Sequence, residues 1–146
     1  MRIALASTLL AVAVTCVAAP KAPAQERAMA RVDSGLARLK RALGPGYSEA
    51  QQQQTRQFSR AFLMNYDWTA SRGSYVILAA GEDKVTGIAM RVYGAGNVIV
   101  AADTSGSTTT RINVTVAEHG TPYRLEFTPT CSQFPCFMGV QIMQRR

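Results

Sequence analysis

The amino-acid sequence predicts a mainly β protein, an antiparallel β-sandwich of jelly-roll-like type that is preceded by an amphipathic helical segment. Short apolar segments with period-two alternation run from about residue 58 to the C-terminus, and Gly-rich turns separate them. No helical stretch lies between these segments, so parallel crossovers are not expected. Apolar residues spaced by three and four are confined to residues 25–43, where they predict a helix.

The first 24 residues have the organisation of a cleaved secretory signal peptide. Arg2 gives a positive start, residues 3–19 are uncharged and mostly apolar, and Ala22-Pro23-Ala24 supplies small residues at a cleavage site. Cleavage there leaves Gln25 as the first residue. The alternatives are a transmembrane anchor, for which the apolar run is slightly short, and lipid modification of Cys16, whose preceding residues fit poorly. We therefore predict a periplasmic or secreted bacterial protein.

The predicted helix has two opposed faces. Its apolar stripe consists of Met29, Val32, Leu36, Leu39 and Leu43. The opposite face carries four arginines, Arg27, Arg31, Arg38 and Arg41. Such a helix can lie on an anionic membrane surface, or it can dock on the sandwich by its apolar stripe with the arginines in solvent. Self-association is a third alternative.

The segment that follows is harder to assign. Gly44-Pro45-Gly46 ends the helix. Ser48 and Gln51 resemble a capping box, which would start a second helix towards Phe58. The run of glutamines at 51–54 is equally compatible with a partly ordered linker. We therefore divide the chain into a signal peptide at 1–24, a helical segment with a Gln-rich linker at 25–56, and a β domain at 57–146.

Six apolar segments predict the strands of the β domain. A run at Tyr75-Val76-Ile77-Leu78-Ala79 comes first, and the alternating and continuous segments follow in order: Ile88, Met90 and Val92; Val98 to Ala101; Ile112, Val114 and Val116; Tyr123, Leu125 and Phe127; and Phe137 to Met143. Gly94-Ala95-Gly96-Asn97 and His119-Gly120 provide turns between them.

Two cysteines remain in the processed chain, Cys131 and Cys136. An even count in an oxidising compartment predicts one disulfide. Five positions separate the two cysteines, so the bridge stiffens a local loop. A zinc site would need more ligands than these two cysteines and His119 supply.

Composition argues for binding and against catalysis. The processed chain keeps 14 basic and 9 acidic residues, a formal charge of +5, which favours anionic partners weakly. His119 is the only histidine, and its neighbours Glu118 and Gly120 indicate a solvated turn, not a general base. Ser105-Gly106-Ser107 lacks the strand-to-helix elbow of a serine hydrolase. We predict no catalytic residues and no cofactor.

Aromatic residues offer a second candidate ligand surface. Tyr66, Trp68 and Tyr93 could form a platform for a sugar or a peptide. The competing interpretation is that aromatic residues at alternating strand positions belong to the core or to cross-strand pairs.

The β domain resembles the bacterial pre-peptidase C-terminal (PPC-like) domains and their small exported proteobacterial relatives. Three segments carry the resemblance in serial order, Arg72-Gly73-Ser74-Tyr75-Val76-Ile77, the hairpin from Ile88 to Val98 with Asp103 after it, and Gly120-Thr121-Pro122-Tyr123-Arg124-Leu125. The Cys131 to Val140 segment is similar to the end of the small relatives. The resemblance covers roughly residues 57–144 and implies a β-sandwich that acts as an accessory or binding module.

Some PPC-like domains bind calcium through acidic residues, but this sequence departs from that pattern. Ile88 stands where an acid is expected, and the second Cys pair of some relatives is absent. Calcium takes about six to eight oxygen ligands, whereas only Glu82, Asp83 and Asp103 are weak candidates here. We do not predict a metal site.

These observations predict a non-catalytic exported binding or accessory module of the bacterial cell envelope. Its expected partner is an envelope protein or glycan, or an anionic membrane surface, and no nucleic acid is expected. The alternatives are a small secreted enzyme inhibitor or enzyme accessory subunit, and a structural protein associated with the membrane surface.

Overall fold

The fold was obtained as a computed structural model that describes residues 23–146. Residues 1–22 lie outside the described part, and with them most of the predicted signal peptide and Cys16. The described chain begins directly with the helix.

Residues 23–146 form one α-helix and nine β-strands. Helix α1 spans Pro23–Leu43. The strands are β1 Tyr47–Glu49, β2 Gln54–Phe58, β3 Met64–Ala70, β4 Gly73–Gly81, β5 Val85–Tyr93, β6 Ile99–Asp103, β7 Thr109–Val116, β8 Thr121–Cys131 and β9 Cys136–Arg145. A short 3₁₀ turn, Ala95–Asn97, connects β5 to β6.

The strands form two antiparallel sheets. The five-stranded sheet has β1 and β2 on one edge of β9, with β4 and then β7 beyond it. The four-stranded sheet has the order β3-β8-β5-β6. All pairings are antiparallel, and the predicted mainly β sandwich with an N-terminal helix is confirmed.

Two strands lie where the sequence predicted a short helix or a linker. Strand β1 pairs with the end of β9, and β2 pairs with Cys136 to Val140 of the same strand. The boundary at 56/57 therefore falls inside β2, and the β-sandwich begins near residue 47. The apolar pattern did not reveal these strands, because they lie at the edge of the sheet and only Phe58 among their residues is buried.

Alternation along the strands builds the core between the sheets. Strand β7 shows the pattern most clearly, since every second residue from Thr110 to Val116 is buried. Side chains from both inner faces pack into one continuous cluster. This is the arrangement expected of two stacked antiparallel sheets.

Strand β4 is apolar without alternation because both of its faces are covered. Tyr75, Ile77 and Ala79 point into the core between the sheets. Val76, Leu78 and Ala80 point outward, where α1 covers them. A strand buried on both sides is continuously apolar, and all six residues are buried.

The helix docks on the outer face of the five-stranded sheet. Ala28, Val32 and Leu36 are buried against β4 and β9, with Leu39 and Leu43 partly buried beside them. Of the predicted apolar stripe, Met29 alone is exposed. Docking by the stripe decides between the alternatives left open by the sequence, since the apolar face is not available to a membrane.

The predicted disulfide is present and closes the loop between β8 and β9. The Cα atoms of Cys131 and Cys136 are 6.4 Å apart, which is within the range of a disulfide. Cys136 is fully buried, whereas Cys131 is partly buried at the surface. The bridge thus ties the two strands together where the chain reverses.

Removal of this disulfide is expected to have a small effect. Cys131→Ala combined with Cys136→Ala should lower the free energy of unfolding by about 2 kcal/mol or less, because the closed loop is short. Chemical denaturation of the variant beside the oxidised parent measures this. A loss of unfolding free energy several times larger would show that the disulfide stabilises more of the fold than the loop it closes.

Candidate functional site

The three candidate aromatic residues do not form a common surface. Trp68 is buried in the core, where its ring lies 4.6 Å from that of Tyr75 and 5.4 Å from that of Tyr123. Tyr66 lies on the same side of β3 and donates a hydrogen bond to Gln51 Oε1 over 3.4 Å. Tyr93 lies on the opposite face of the sheet. The predicted aromatic ligand platform is therefore wrong, because strand alternation places these side chains on two faces of the sheet.

The acidic candidates are also dispersed. Asp83 forms an ion pair with Arg31, and Glu82 is buried. The Asp103 carboxylate accepts hydrogen bonds from the Thr110 hydroxyl and the Ser105 N–H. Chiefly through the Thr110 bond, these donors hold the pKa of Asp103 below its ordinary value. Within residues 23–146, no three His, Cys, Asp or Glu side chains are grouped as metal ligands.

His119 lies on the exposed turn between β7 and β8. Its Nδ1 accepts a hydrogen bond from the Arg72 N–H over 3.4 Å. In the described part of the chain, neither a carboxylate nor a hydroxyl is hydrogen-bonded to this ring. Its role is to join two loops at one end of the sandwich.

The arginines of α1 remain at the surface after the helix has docked. Arg27 is exposed, and Arg31 pairs with Asp83. Arg31, Arg38 and Arg41 line one wall of a groove of about 380 Å³, with Thr108 and Thr109 on the opposite wall. The predicted contact of these arginines with an anionic surface stays a prediction. Within residues 23–146, no helix combines the length and apolar character that crossing a membrane requires.

The most unusual surface is the hairpin that connects β5 to β6, which we call the aliphatic hairpin (residues 94–102). Val98, Ile99 and Val100 are consecutive, and they are 61%, 51% and 51% exposed. The hairpin contains no charged residue. Three exposed aliphatic side chains in a row are uncommon on a soluble surface and mark interaction sites.

The backbone of the aliphatic hairpin is well defined. Gly94 N–H donates to Val98 O over 2.9 Å, which closes the turn. Gly96 and Asn97 adopt the left-handed conformation, with φ of 69° and 59°. Glycine and asparagine tolerate this region best. The aliphatic side chains are therefore presented on a fixed turn, which limits the conformational entropy that a partner must remove.

Strand β6 is also an edge strand. Within the described residues it pairs only with β5. Proteins usually protect exposed edges with lysine, proline or inward-pointing charges. Residues 98–102 contain none of these. Strand β7 approaches β6 at Asp103, so the exposed part of the edge at Val98, Ile99 and Val100 is the part open to a further strand or to an apolar partner surface.

A polar network lies beside the hairpin on the outer face of the four-stranded sheet. The Arg124 guanidinium stacks 4.5 Å above the Tyr93 ring. Glu126 Oε1 accepts hydrogen bonds from Arg91 over 3.2 Å and from the Tyr93 hydroxyl over 3.4 Å. Arg124 Nε is buried without an acceptor. A depression of about 340 Å³ separates this network from the turn at residues 94–97.

The sequence predicts the strand that forms this surface but does not predict that its side chains are exposed. Residues 98–101 were predicted as a strand, but no surface role was predicted for them. The feature that could have indicated exposure is the lack of alternation in Val98-Ile99-Val100, which directly follows a Gly-Asn turn. The same lack of alternation occurs in β4 because the strand is buried on both faces, so the pattern alone does not separate the two cases.

Comparisons with known proteins give little support for any family. No protein-family profile matches the sequence, and no curated protein matches it either. Among solved structures, the chain is similar to the periplasmic inhibitor of g-type lysozyme, PliG, from Aeromonas hydrophila. The two are 14% identical with a TM-score of 0.42, over 68% of this chain and 89% of that chain. A likeness with so low a TM-score does not support a shared function. The resemblance to PPC-like domains stays a prediction.

Proposed function

We propose that this chain is a non-catalytic exported protein that binds a partner protein through its aliphatic hairpin, as a small enzyme inhibitor or an accessory subunit. The observation that carries the proposal is the exposure of Val98, Ile99 and Val100 on an unprotected edge strand. Burial of each half-exposed side chain contributes about 1 kcal/mol. Such a gain favours association with an apolar pocket or a sheet edge.

The chemistry of the hairpin favours a protein over the other expected partners. Glycans need planar aromatic faces and polar groups, whereas the exposed residues here are aliphatic. An anionic membrane attracts basic residues, and residues 94–102 have none. The polar network around Arg124 and Glu126 can form the charged rim that surrounds the apolar centre of a protein interface.

An exported location supports the same role. The disulfide between Cys131 and Cys136 is expected to persist in an oxidising compartment. The signal-peptide pattern at residues 1–24 indicates export through the inner membrane. We propose that the PPC-like resemblance reflects the same accessory role.

Ile99→Asp is expected to weaken partner binding strongly without loss of stability. The charge would face the apolar partner surface, whereas in the free protein it would lie in solvent. Pull-down of the tagged processed protein from its own envelope extract identifies the partner, and titration with the purified partner should show at least about a tenfold weaker Kd.

Phe62→Asp is the matched control. Phe62 is 59% exposed on the loop between β2 and β3, away from the hairpin. This variant should therefore bind the partner as the parent does. Equal binding by the Ile99→Asp variant and the parent, or binding of the hairpin to vesicles, would overturn the proposal.

A further inference from the structure

Glu82 is a buried carboxylate without a complete set of partners. It is 6% exposed, and no donor from residues 23–146 is hydrogen-bonded to its Oε1. The turn that carries it is fixed, because Glu82 N–H donates to Phe137 O over 3.0 Å and Glu82 O accepts from Val85 N–H over 2.9 Å. A buried, unpaired carboxylate is costly, so a cationic partner is expected nearby.

Two of the nearby side-chain cations have other partners. Arg31 of α1 pairs with Asp83, the neighbour of Glu82. Lys84 Nζ donates to the Pro135 carbonyl over 3.2 Å. Arg38 and Arg41 lie farther along the groove that Glu82 also lines. None of these groups is hydrogen-bonded to Oε1 of Glu82 in the described structure.

A cavity of about 260 Å³ connects Glu82 to the beginning of the helix. Ala24, Gln25 and Ala28 line it from α1, and Glu82 and Lys84 line it from the β4–β5 turn. Strands β2 and β9 and the loop before β9 contribute the remaining wall, which does not titrate: Gln57, Pro135 and Phe137. Gln25 precedes the buried Ala28 and Val32 at spacings of three and seven, so it lies on the sheet-facing side of the helix.

We infer that the partner of Glu82 is the α-ammonium group of Gln25, which is created when the signal peptide is cleaved after Ala24. Before cleavage this nitrogen is a helical amide with a single N–H. After cleavage it is a cation with three donors on a residue that lines the same cavity. The inference rests on the predicted cleavage site and is independent of the proposed function of the hairpin.

The pair would also compensate an unfavourable feature of the processed chain. A positive charge at a helix N-terminus opposes the helix dipole, and a carboxylate there favours it. Glu82 supplies that carboxylate from the sheet. Export and packing would thereby be linked, because residues 23–146 of the precursor supply no donor to Glu82 Oε1, whereas the processed chain would complete the pair.

The ion pair has a chemical consequence for Gln25. An N-terminal glutamine cyclises when its neutral α-amine attacks the side-chain amide carbon, which forms the lactam and releases ammonia. A protonated amine held by Glu82 has no lone pair for this attack. The exported protein should therefore keep an open N-terminal glutamine.

The test is the titration of the α-amino group in the exported chain, followed by NMR. An unpaired α-amine has a pKa of about 7.7–8.0. We expect a pKa at least about one unit higher in the folded protein, and a return to the ordinary value in Glu82→Gln. A raised pKa stabilises the fold fully below the ordinary value, and this contribution is lost as the pH rises through the folded value.

A chain that begins at Glu26 is the matched control. Glu26 is exposed and does not line the cavity, so an amine there should titrate at the ordinary value even though Glu82 is intact. If Glu82→Gln does not fold, the α-amine pKa values of the two chains with different N-termini still test the inference. An ordinary pKa in the chain that begins at Gln25, a lactam at its N-terminus, or a mature N-terminus at another residue would each overturn the inference.

Discussion

Leu36→Asp is expected to lower the free energy of unfolding by about 4 kcal/mol or more, enough to abolish folding in a marginally stable domain. Leu36 is fully buried between α1 and the outer face of the five-stranded sheet. The substitution removes its apolar contacts and also places a charge where neither water nor a cation reaches it. Thermal melting should show a drop of about 10 °C or more.

Arg38→Gln on the same helix is the control for that experiment. Arg38 lies at the surface, on the wall of the groove beside the helix, and a solvated surface charge contributes little to stability. The two variants should therefore differ strongly in melting temperature. If Leu36→Asp melts like the parent, the helix is not docked on the sheet in solution.

Gly139→Ala should be the second most damaging change, through overpacking. A Cβ at this position of β9 would lie 2.5 Å from Val32 Cγ1 and 2.9 Å from Leu36 Cδ1. These distances are shorter than real contacts, so the helix must move away from the sheet. We expect a loss of about 1–3 kcal/mol in the free energy of unfolding.

Val32→Ala should rescue that loss in part. It removes the closest atom, and the methyl group added at position 139 then occupies space that Val32 had filled. The double variant should be more stable than the sum of the two single losses allows, by roughly 0.5–3 kcal/mol of coupling. Chemical denaturation of the four proteins gives this coupling directly. Strict additivity would contradict the close approach of helix and strand.

The β domain was predictable because alternation survives wherever one strand face is buried. Strand β7 shows this in the sequence, with Ile112, Val114 and Val116 inward. Strand β4 was recognised as a strand from its apolar run, although the sequence did not show that the helix docks on this strand. The helix was predictable in its bounds and stripe, and its docking became clear only from the outward residues of β4.

Strands β1 and β2 could not be predicted from local pattern. Their residues are mostly polar, and they are strands because β9 offers them a free edge. Glutamine side chains help to hold them. Gln141 lies on β9 and is buried, and its Nε2 donates to Gln51 O. Gln53 Nε2 donates to Asp33 of the helix over 2.6 Å. Such long-range partners leave no periodicity in the sequence.

The candidate site was only partly accessible for the same reason. The arginines of α1 were predicted and are at the surface, whereas exposure of Val98, Ile99 and Val100 depends on the absence of a covering layer in the described structure. A continuous apolar segment has the same sequence pattern whether both faces of its strand are buried or both are exposed. The topology of the sheet, which places β6 at an edge, supplies the missing information.

The position of β9 sets the order in which the protein can fold. This strand separates β1 and β2 from β4, and its Gly139 also receives the helix. All of these partners precede β9 in the chain, so a ribosome must deliver residues 136–145 before the five-stranded sheet can close. A chain emerging from the ribosome therefore cannot complete the five-stranded sheet until translation has passed this strand.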